Sequence, residues 1–554
     1  MRNHKKIIKL LKIEAASKQP VIIDPNKYLS CEELISAAFS KTMIKTKNEL
    51  IQKAYEYVQA LAIDRKAVYG LTTSFGGNIN HIIPPEEAKL LQKNLILCHA
   101  TNVGEFFPYE ISKAAFILRI TTLSKGYSGV SLTTIKLATQ MIEAGLVPAI
   151  NIHGSLGASG DIAPLACIAL SMIGKGKLWL PDGKSVVSSK KGLKRYDLKP
   201  IKLSYKEGLA LLNGTSMMTS VGAVNLHFLK HFIENSLVVA AMSIEVLRGS
   251  KKPFDSRLHA LKPHRFEINT ASVMELILRQ SKFALSHSEL KSGIEKELRL
   301  RSETFYSNTD LQGGSYSMRA IPQVYHPILA NYDLFKTTVE TEINAIDDNP
   351  IVLPDEHDEL HGANFHGYPI SVASDNMNLA MVGISNLALA RIDRMLKSTH
   401  SRLPWFLATG KEGLFLGMHG IQFTAAGIGA ELKNLTLPLS IVQIPTNNDN
   451  QDFVSFGLQS TTKGLEMTLL AAYVIAIEWI CAGQGIWLHL NKPRPSLSIE
   501  GLSEVSRMAY LEMLKVYRPI KNKDQNMTEQ IEKLSEVILT KSLLPKQLSE
   551  KLWS

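Results

Sequence analysis

Residues 153–165 read His-Gly-Ser-Leu-Gly-Ala-Ser-Gly-Asp-Ile-Ala-Pro-Leu, and three of them can react with one another. The backbone nitrogen of Gly160 can attack the carbonyl carbon of Ala158. Loss of two waters then turns Ser159 into a dehydroalanine inside a five-membered imidazolone ring. Alanine is small and glycine has no Cβ, so the close backbone approach is sterically open. Because no ordinary side chain is a strong electrophile, such a ring would supply one without an external cofactor.

A simpler interpretation of the same stretch stays open at this point. Clusters of Gly, Ser and Asp are typical of turns and of helix N-termini. Ser159 or Asp161 would then cap a helix with apolar positions at Ile162, Leu165, Ala166 and Ala169. The tripeptide alone does not decide between the two interpretations, so the rest of the chain has to.

Six further motifs accompany this stretch in one order along the chain. They are Tyr69-Gly-Leu-Thr-Thr-Ser-Phe-Gly, Asn213-Gly-Thr-Ser, Tyr316-Ser-Met-Arg319, Asp348-Asn-Pro, Asn364-Phe-His and Asn450-Gln-Asp. Together they resemble the aromatic amino acid ammonia-lyase and aminomutase family, which includes histidine, phenylalanine and tyrosine ammonia-lyases. The resemblance runs from about Ile22 to about Leu488. Several independent motifs in one order are far more specific than a single short pattern.

The resemblance implies a mainly α fold of the fumarase and aspartase type. An N-terminal domain over 21–215 would carry the methylidene-imidazolone group (MIO, 4-methylidene-imidazol-5-one), formed autocatalytically from Ala158-Ser159-Gly160. A central bundle of long, roughly parallel helices would follow over 216–490. A basic tail would occupy 1–20 and a helical segment of unassigned role 491–554. The resemblance also implies a homotetramer in which each active site draws on several subunits.

Local patterns agree with a helical chain. Ser131 is a candidate N-cap for a helix that ends at Gly145, before Pro148, with apolar positions at Leu132, Ile135, Ala138 and Ile142. A longer helix is predicted from Ser374 or Asp375, with Met377, Met381, Ile384, Ala388, Ile392 and Met395 on one face. Strands are predicted at 21–23 and 177–180, the second before a Pro-Asp-Gly turn. The apolar stretch between Glu466 and Glu478 is shorter than the ~18 residues of a membrane span and predicts a buried helix.

Length and composition indicate a globular protein with more than one packed unit. The 554 residues exceed what one hydrophobic core usually fills. The hydrophobic content of 45% and the charged content of 20% are those of a soluble protein. Four cysteines without a CxxC pair favour reduced thiols and a cytoplasmic location. His361 and His366 have no nearby carboxylate at zinc-ligand spacing, so no metal is expected.

The net charge of +11 raises the question of nucleic acid and membrane partners. The cations are scattered apart from small clusters at 190–195 and 515–523, and no aromatic-rich RNA-binding motif lies among them. The basic N-terminus has no signal-peptide core, and its apolar stretch is too short to anchor the chain firmly to a membrane. We therefore expect a solvated surface and neither partner.

Three residues receive catalytic roles from the resemblance. Tyr69 is the candidate base. A phenol of pKa ~10 needs a nearby positive charge or hydrogen-bond donors to act near neutral pH. Ser74 in its loop stands where the family usually has glycine. Asn213 would hydrogen-bond the MIO ring or the substrate amine, and Phe365 would pack beside the ring. Each alone would read as an ordinary loop, turn or core residue.

The substrate carboxylate needs a partner, and Arg319 is the candidate because a guanidinium can hold a carboxylate with two parallel bonds. Standing alone, it would read as a surface arginine. Tyr316 lies one helical turn before it, on the same face. The family usually has a glutamine three residues before this tyrosine, where this chain has Gly313. Gln312 is one residue further away and is expected to reach the substrate through the Gly313-Gly314 bend.

Two positions bear on the substrate. Cys98-His99 matches the family's specificity switch, where histidine-acting members carry Ser-His, tyrosine-acting members His-Leu or Ser-His, and phenylalanine-acting members Phe-Leu. His99 can hydrogen-bond a phenol or an imidazole, and a phenylalanine ring would leave it unpaired at a cost of ~1–3 kcal/mol. Gln451 stands where histidine-acting members carry glutamate. Together these positions favour L-tyrosine, converted to trans-4-coumarate and ammonia.

Several alternatives remain. L-Histidine is the second candidate substrate, followed by L-phenylalanine or broad specificity. An aminomutase would use the same residues and return ammonia to the β-carbon. A non-catalytic helical scaffold belongs to a different class, and it would need none of Tyr69, Asn213, Arg319 or the tripeptide.

Overall fold

The computed structural model describes residues 20–307, 309–492 and 497–554, together with Leu10. The basic tail predicted over 1–20 therefore lies almost wholly outside the described residues. Helices dominate the described chain, which confirms the prediction of a mainly α fold. In chain order they are α1 Cys31–Phe39, α2 Asn48–Ile63, α3 Pro85–His99, α4 Tyr109–Leu123, α5 Leu132–Glu143, α6 Ile162–Met172, α7 Ser189–Arg195, α8 Glu207–Leu212, α9 Ser216–Val246, α10 Ser256–Ala260, α11 Arg265–Leu278, α12 His287–Leu300, α13 Tyr316–Arg319, α14 Ile321–Asn344, α15 Tyr368–Leu396, α16 Ser398–Ser401, α17 His419–Asn434, α18 Gly457–Leu490, α19 Glu504–Leu514, α20 Thr528–Thr540 and α21 Lys546–Trp553.

Short strands form small sheets between the helices. They are β1 Val21–Ile23, β2 Thr42–Ile44, β3 Val103–Phe106, β4 Val147–Pro148, β5 Asn151–His153, β6 Lys177–Trp179, β7 Val186–Ser188, β8 Ile351–Leu353 and β9 Asp358–Leu360. β1 pairs with β2 in parallel, while β3 with β5, β4 with β6, β6 with β7, and β8 with β9 are antiparallel. Both predicted strand regions are confirmed, the second as the β6–β7 hairpin.

The described chain divides into two compact units. The first contains the described residues up to His227, with Leu334–Asn376 and Leu437–Glu466. The second contains Phe228–Asp333, Met377–Thr436 and the described residues from Met467 onwards. Four of the five divisions fall inside the long helices α9, α14, α15 and α18, and the fifth follows the C-terminus of α17. The domain boundaries drawn from the sequence stay predictions.

The first unit is built around α4. All of its residues from Glu110 to Leu123 are buried, because it packs against α1, α5 and β4. Beside it, α3, α6 and α8 pack on one another. The C-terminus of α3, the N-terminus of α6 and the C-terminus of α8 carry His99, the residues after Gly160, and Asn213, so this packing positions three of the predicted site motifs.

The second unit has a buried ion pair in its core. Arg391 of α15 and Glu478 of α18 form two hydrogen bonds, of 2.6 and 3.0 Å, and neither side chain is exposed. Arg391 also donates to the Ser317 carbonyl at 2.9 Å, which ties the short helix α13 to the core. The C-terminal segment belongs to this unit. Tyr517 donates to Gln484 of α18 at 2.8 Å, and Trp553 donates to Glu234 of α9 at 2.8 Å.

Local predictions can be compared with these elements. Ser131 is the N-cap of α5, and its hydroxyl accepts from the Thr134 amide as predicted. The helix predicted from Ser374 or Asp375 begins at Tyr368 instead. The apolar stretch after Glu466 lies in α18, as a buried helix. That helix is longer than predicted and apolar enough over 18 residues to cross a membrane, but 89% of that window is buried inside the protein, as in a core helix.

Candidate active site

The tripeptide Ala158-Ser159-Gly160 forms the tip of a tight turn. Gly157 and Gly160 pair across it, with φ of +79° and +68°, in the region that favours glycine. Gly160 also pairs with Gly214, whose carbonyl accepts from the Asp161 amide at 2.7 Å. A Cβ at position 160 would overlap the Gly214 carbonyl. The fold therefore requires glycine here for both conformation and space.

Asp161 occupies the N-cap position of α6, but its side chain does not cap the helix. Its carboxylate instead accepts from the Ser155 hydroxyl at 2.9 Å and from the Met218 amide at 2.8 Å. The capping interpretation is thus wrong for the Asp161 side chain. Burial raises the pKa of Asp161 to about 7, against the opposing effect of these donors.

Ser159 faces a cavity of about 340 Å³ in the first unit. Seven of the residues predicted from the sequence line it: Tyr69, Cys98, His99, Ser159, Asn213, Phe365 and Gln451. Ala158 and Gly160 flank the serine. The cavity therefore brings together residues that lie far apart in the chain and were singled out separately.

Tyr69 is held by its own loop. Its hydroxyl oxygen accepts from the Gly76 amide at 3.1 Å, and its ring makes edge contacts with Phe75 and His361. Burial raises the pKa of Tyr69, and the Gly76 N–H only partly offsets this. The phenol is therefore protonated near neutral pH unless a positive charge approaches it.

His99 ends helix α3, and the contacts of its ring favour one tautomer. Nδ1 lies 2.9 Å from the Leu95 carbonyl, and the Cys98 Sγ lies 3.1 Å from the same nitrogen. A carbonyl only accepts, so Nδ1 carries the hydrogen in this contact. In the neutral ring Nε2 is then an acceptor, which suits a ligand that ends in O–H or N–H.

Gln451 contacts the tripeptide directly. Its Nε2 donates to the Ser159 hydroxyl at 2.9 Å, and its Oε1 accepts from Thr446 at 3.2 Å. The turn between Thr446 and Gln451 has three successive left-handed residues, at 447–449. Asn447 in this turn accepts from the Gly77 amide at 3.1 Å, so the turn is tied to the Tyr69 loop.

The remaining predicted residues, Gln312, Tyr316 and Arg319, belong to the second unit and do not line this cavity. The Arg319 guanidinium lies over the Tyr316 ring, 4.5 Å from its centre, as the i, i+3 spacing predicts. Tyr316 is 72% exposed. Gln312 is exposed beside a bend at Gly313 and Gly314.

The described residues that line the cavity include no Asp, Glu, Lys or Arg. Its polar groups are amides, hydroxyls, one thiol and one imidazole. Among the described residues no group of three or more His, Cys, Asp or Glu is placed to hold a metal ion. The cavity alone can orient an aromatic ring but has no charge to balance an amino acid's carboxylate.

The sequence matches the family described as "Aromatic amino acid lyase" over residues 29–509. The chain belongs to the aromatic amino acid lyase family. It is 34% identical to a histidine ammonia-lyase of Caldanaerobacter subterraneus over 84% of this chain and 88% of that protein. It is 35% identical to a tyrosine 2,3-aminomutase of Myxococcus fulvus over 77% of this chain and 82% of that protein.

A solved structure agrees with the family assignment. The phenylalanine aminomutase of Pantoea agglomerans superposes with a TM-score of 0.87 at 33% identity, covering 95% of this chain and all of that one. This lyase is therefore an enzyme with the fold that the motifs implied.

The cavity of the lyase also contains five asparagines to which the motifs gave no individual role: Asn78, Asn94, Asn349, Asn447 and Asn450. Asn349 and Asn450 lie inside motifs already quoted, Asp348-Asn-Pro and Asn450-Gln-Asp, and Asn447 lies three residues before the second motif. Asn94 lies one turn before Cys98 on α3, and that spacing was the available signal.

Proposed function

We propose that this lyase eliminates ammonia from an L-aromatic amino acid, with L-tyrosine favoured, to give trans-4-coumarate. One observation carries the proposal: a single cavity is lined by Ser159, Tyr69 and His99. These supply a hydroxyl for building an electrophile, a candidate base, and an acceptor for the polar tip of a substrate ring.

We also propose that Ala158, Ser159 and Gly160 form MIO autocatalytically, with no external cofactor. The local backbone fits this group. The tripeptide sits at the tip of a tight turn, Gly160 has no room for a Cβ, and the serine hydroxyl faces the cavity. MIO would supply an electrophile for the substrate amino group. Asn213 and Gln451 are the neighbouring amides that would hold the ring or the amine.

Tyr69 would remove the β-hydrogen. Burial raises the pKa of its phenol, so it needs a positive charge nearby to work near neutral pH. The described lining residues provide none. The substrate carboxylate needs a cationic partner as well. Both needs support a homotetramer in which a second copy contributes Arg319, with Tyr316 and Gln312 beside it.

The choice of tyrosine rests on the charges of the side chains that line the cavity and on the tautomer of the His99 ring. The Nδ1 contact of His99 leaves Nε2 as an acceptor for a phenol O–H. A phenylalanine ring offers no donor and would leave this nitrogen unpaired. An imidazolium would find no carboxylate among the described lining residues, since position 451 is an amide.

L-Histidine remains the second candidate because its neutral imidazole N–H can also donate to His99, and the Caldanaerobacter relative is named for that substrate. An aminomutase is a further candidate, because the Myxococcus relative carries that name. In addition, Asn447 ties the Tyr69 loop to the turn between Thr446 and Gln451. Phenylalanine or broad specificity comes next. A non-catalytic scaffold would not need the cavity residues. A cytoplasmic location, without a nucleic acid or membrane partner, is part of the same proposal.

Two measurements on the purified protein test the proposal. The intact mass should be two waters below the sequence mass, and L-tyrosine should release ammonia together with 4-coumarate. A Ser159→Ala variant should keep its full mass and release no ammonia, which controls for both signals. A wild-type chain of full mass and no activity would overturn the proposal in favour of the scaffold. β-Tyrosine as the main product would favour the aminomutase.

A further inference from the structure

The backbone of Gly214, which lies against Gly160, is bracketed by a buried ion pair. Arg119 of α4 donates from Nη1 to the Asn213 carbonyl at 2.7 Å and to Asp347 at 2.9 Å. Asp347 accepts from the Thr215 amide at 2.7 Å. The pair thus holds the residues on either side of Gly214.

The space around Gly214 is filled by this pair. A Cβ at position 214 would overlap both the Arg119 guanidinium and the Asp347 carboxylate. Arg119 is 0% and Asp347 is 2% exposed. Both groups are inside the protein, and each compensates the buried charge of the other.

The Arg119 side chain also does not use all of its hydrogen-bond donors. Its Nε and Nη2 are buried without a hydrogen-bond partner among the described residues. An aliphatic side chain would avoid the cost of burying these unpaired donors. The benefit of a guanidinium at this position therefore lies in the hydrogen bonds that Nη1 makes. Nη1 bridges Asn213, which lines the cavity, to the aspartate that holds Thr215. A shorter lysine has a single nitrogen at a different reach and does not reproduce this bridge.

We propose that Arg119, together with Asp347, is a positioning residue for ring closure in the tripeptide. This inference rests on the proposed MIO function. By fixing residues 213–215, the pair fixes the Gly214 carbonyl that holds Asp161 and lies against Gly160. The Gly160 nitrogen is thereby kept close to the Ala158 carbonyl carbon.

The reaction that this geometry serves is balanced within the chain. A bond forms between the Gly160 nitrogen and the Ala158 carbonyl carbon. The Ala158 oxygen leaves as water with the amide hydrogens of Gly160 and Ser159. The Ser159 hydroxyl leaves as a second water with the hydrogen of its own Cα. No oxidant or outside reactant is consumed.

The test is the intact mass of folded variants, with circular dichroism to establish folding. Arg119→Lys and Asp347→Asn should fold but remain largely at full mass, whereas the wild type is lighter by two waters. Lys206→Met is the matched control. Lys206 and Asp348 form a second buried ion pair of 2.7 Å in the same unit, but Lys206 makes no hydrogen bond to residues 213–215. That variant should lose the two waters as the wild type does.

Every other outcome counts against either the positioning proposal or the proposed function. Folded Arg119→Lys and Asp347→Asn chains with the full two-water loss would overturn the proposal. If both variants fail to fold while Lys206→Met folds, the pair serves the fold as a whole, which also overturns it. Equal retention of mass in Lys206→Met would show a general effect of stability and count against it too. A wild type at full mass would instead refute the proposed function, and the two failures are therefore distinct.

Discussion

The side-chain amide of Gln451 donates a 2.9 Å hydrogen bond to the hydroxyl of Ser159, although 292 positions separate the two residues in the chain. In the proposed function, position 451 therefore lies beside the residue that builds the electrophile and that receives the substrate amine. A charge at this position would change the electrostatic potential at the reacting end of the cavity, which otherwise has no charged side chain among its described lining residues.

Gln451→Glu should shift preference toward L-histidine. The added carboxylate attracts an imidazolium as well as an amine, while L-tyrosine has only the amine. We expect the ratio of kcat/KM for histidine over tyrosine to rise about tenfold, which corresponds to ~1.4 kcal/mol. Asn450→Asp is the control, because it adds the same charge at the next residue. An equal shift in both variants would show that position 451 has no special role.

Tyr69→Phe should keep the two-water mass loss yet lose turnover by about 10²–10⁴-fold, the usual contribution of a general base. In the wild type, the fraction of Tyr69 in the base form increases as the pH approaches its raised pKa, so kcat/KM should rise with pH on the alkaline side of neutrality. The residual activity of the variant should not follow that rise. Tyr55→Phe, whose hydroxyl contacts Ser204 and which is not among the cavity residues, is the matched control. Near-normal turnover in Tyr69→Phe would contradict the assignment.

His99→Phe replaces a cavity-lining side chain that can form a hydrogen bond with an apolar one. Activity on L-tyrosine should fall about 5- to 150-fold, matching ~1–3 kcal/mol for an unpaired phenol, while activity on L-phenylalanine should rise. Steady-state kinetics with both substrates measure this. Cys98→Ser changes the adjacent cavity residue without removing the imidazole, and its substrate ratio should stay close to that of the wild type. Unchanged tyrosine activity in His99→Phe would refute the proposed phenol contact.

The stability of the fold should decrease as the pH rises toward neutrality. Burial, with Asp347 nearby, raises the pKa of Glu342 to about 7, and Asp161 is raised to about 7 by burial. Between their ordinary values and about pH 7, the folded state binds more protons than the unfolded state, so the free energy of unfolding falls as pH rises. Each group contributes about 3–4 kcal/mol over this window.

Glu342→Gln keeps an acceptor for Thr215, which donates to Glu342 at 2.7 Å, but it cannot ionise. Denaturant unfolding at pH 5 and pH 7.5 should show a smaller difference for this variant than for the wild type. Glu340→Gln, on the same helix, should leave the difference as it is. A wild-type stability that increases over this range would contradict the sign of the effect.

Much of the fold could be predicted because its signals are local. Ser131 caps its helix with its own hydroxyl, and the β6–β7 hairpin follows from alternation and a Pro-Asp-Gly turn. Where tertiary partners compete, the local signal fails. Ser374 and Asp375 resemble an N-cap, yet they lie inside α15, where Asp375 accepts from Ser460 at 2.7 Å.

In the candidate site, too, some features follow from local sequence motifs and others depend on tertiary packing. Tyr69, His99, Asn213 and Phe365 could be found from their motifs, and the fold brings them to one cavity. The use of Asp161 could not be found, because its partners Ser155 and Met218 are set by tertiary packing. The contact between Gln451 and Ser159 depends on three left-handed residues in a loop, which sequence patterns do not specify. The ion pair between Arg119 and Asp347 likewise joins residues that are 228 positions apart in the chain.

The most direct test of the central claim is the ultraviolet spectrum of the purified enzyme incubated separately with L-tyrosine, L-histidine and L-phenylalanine. We predict 4-coumarate from L-tyrosine, with little or no urocanate and cinnamate from the other two. Urocanate from L-histidine without coumarate from L-tyrosine would contradict the interpretation of His99 and Gln451 and would make the enzyme a histidine ammonia-lyase.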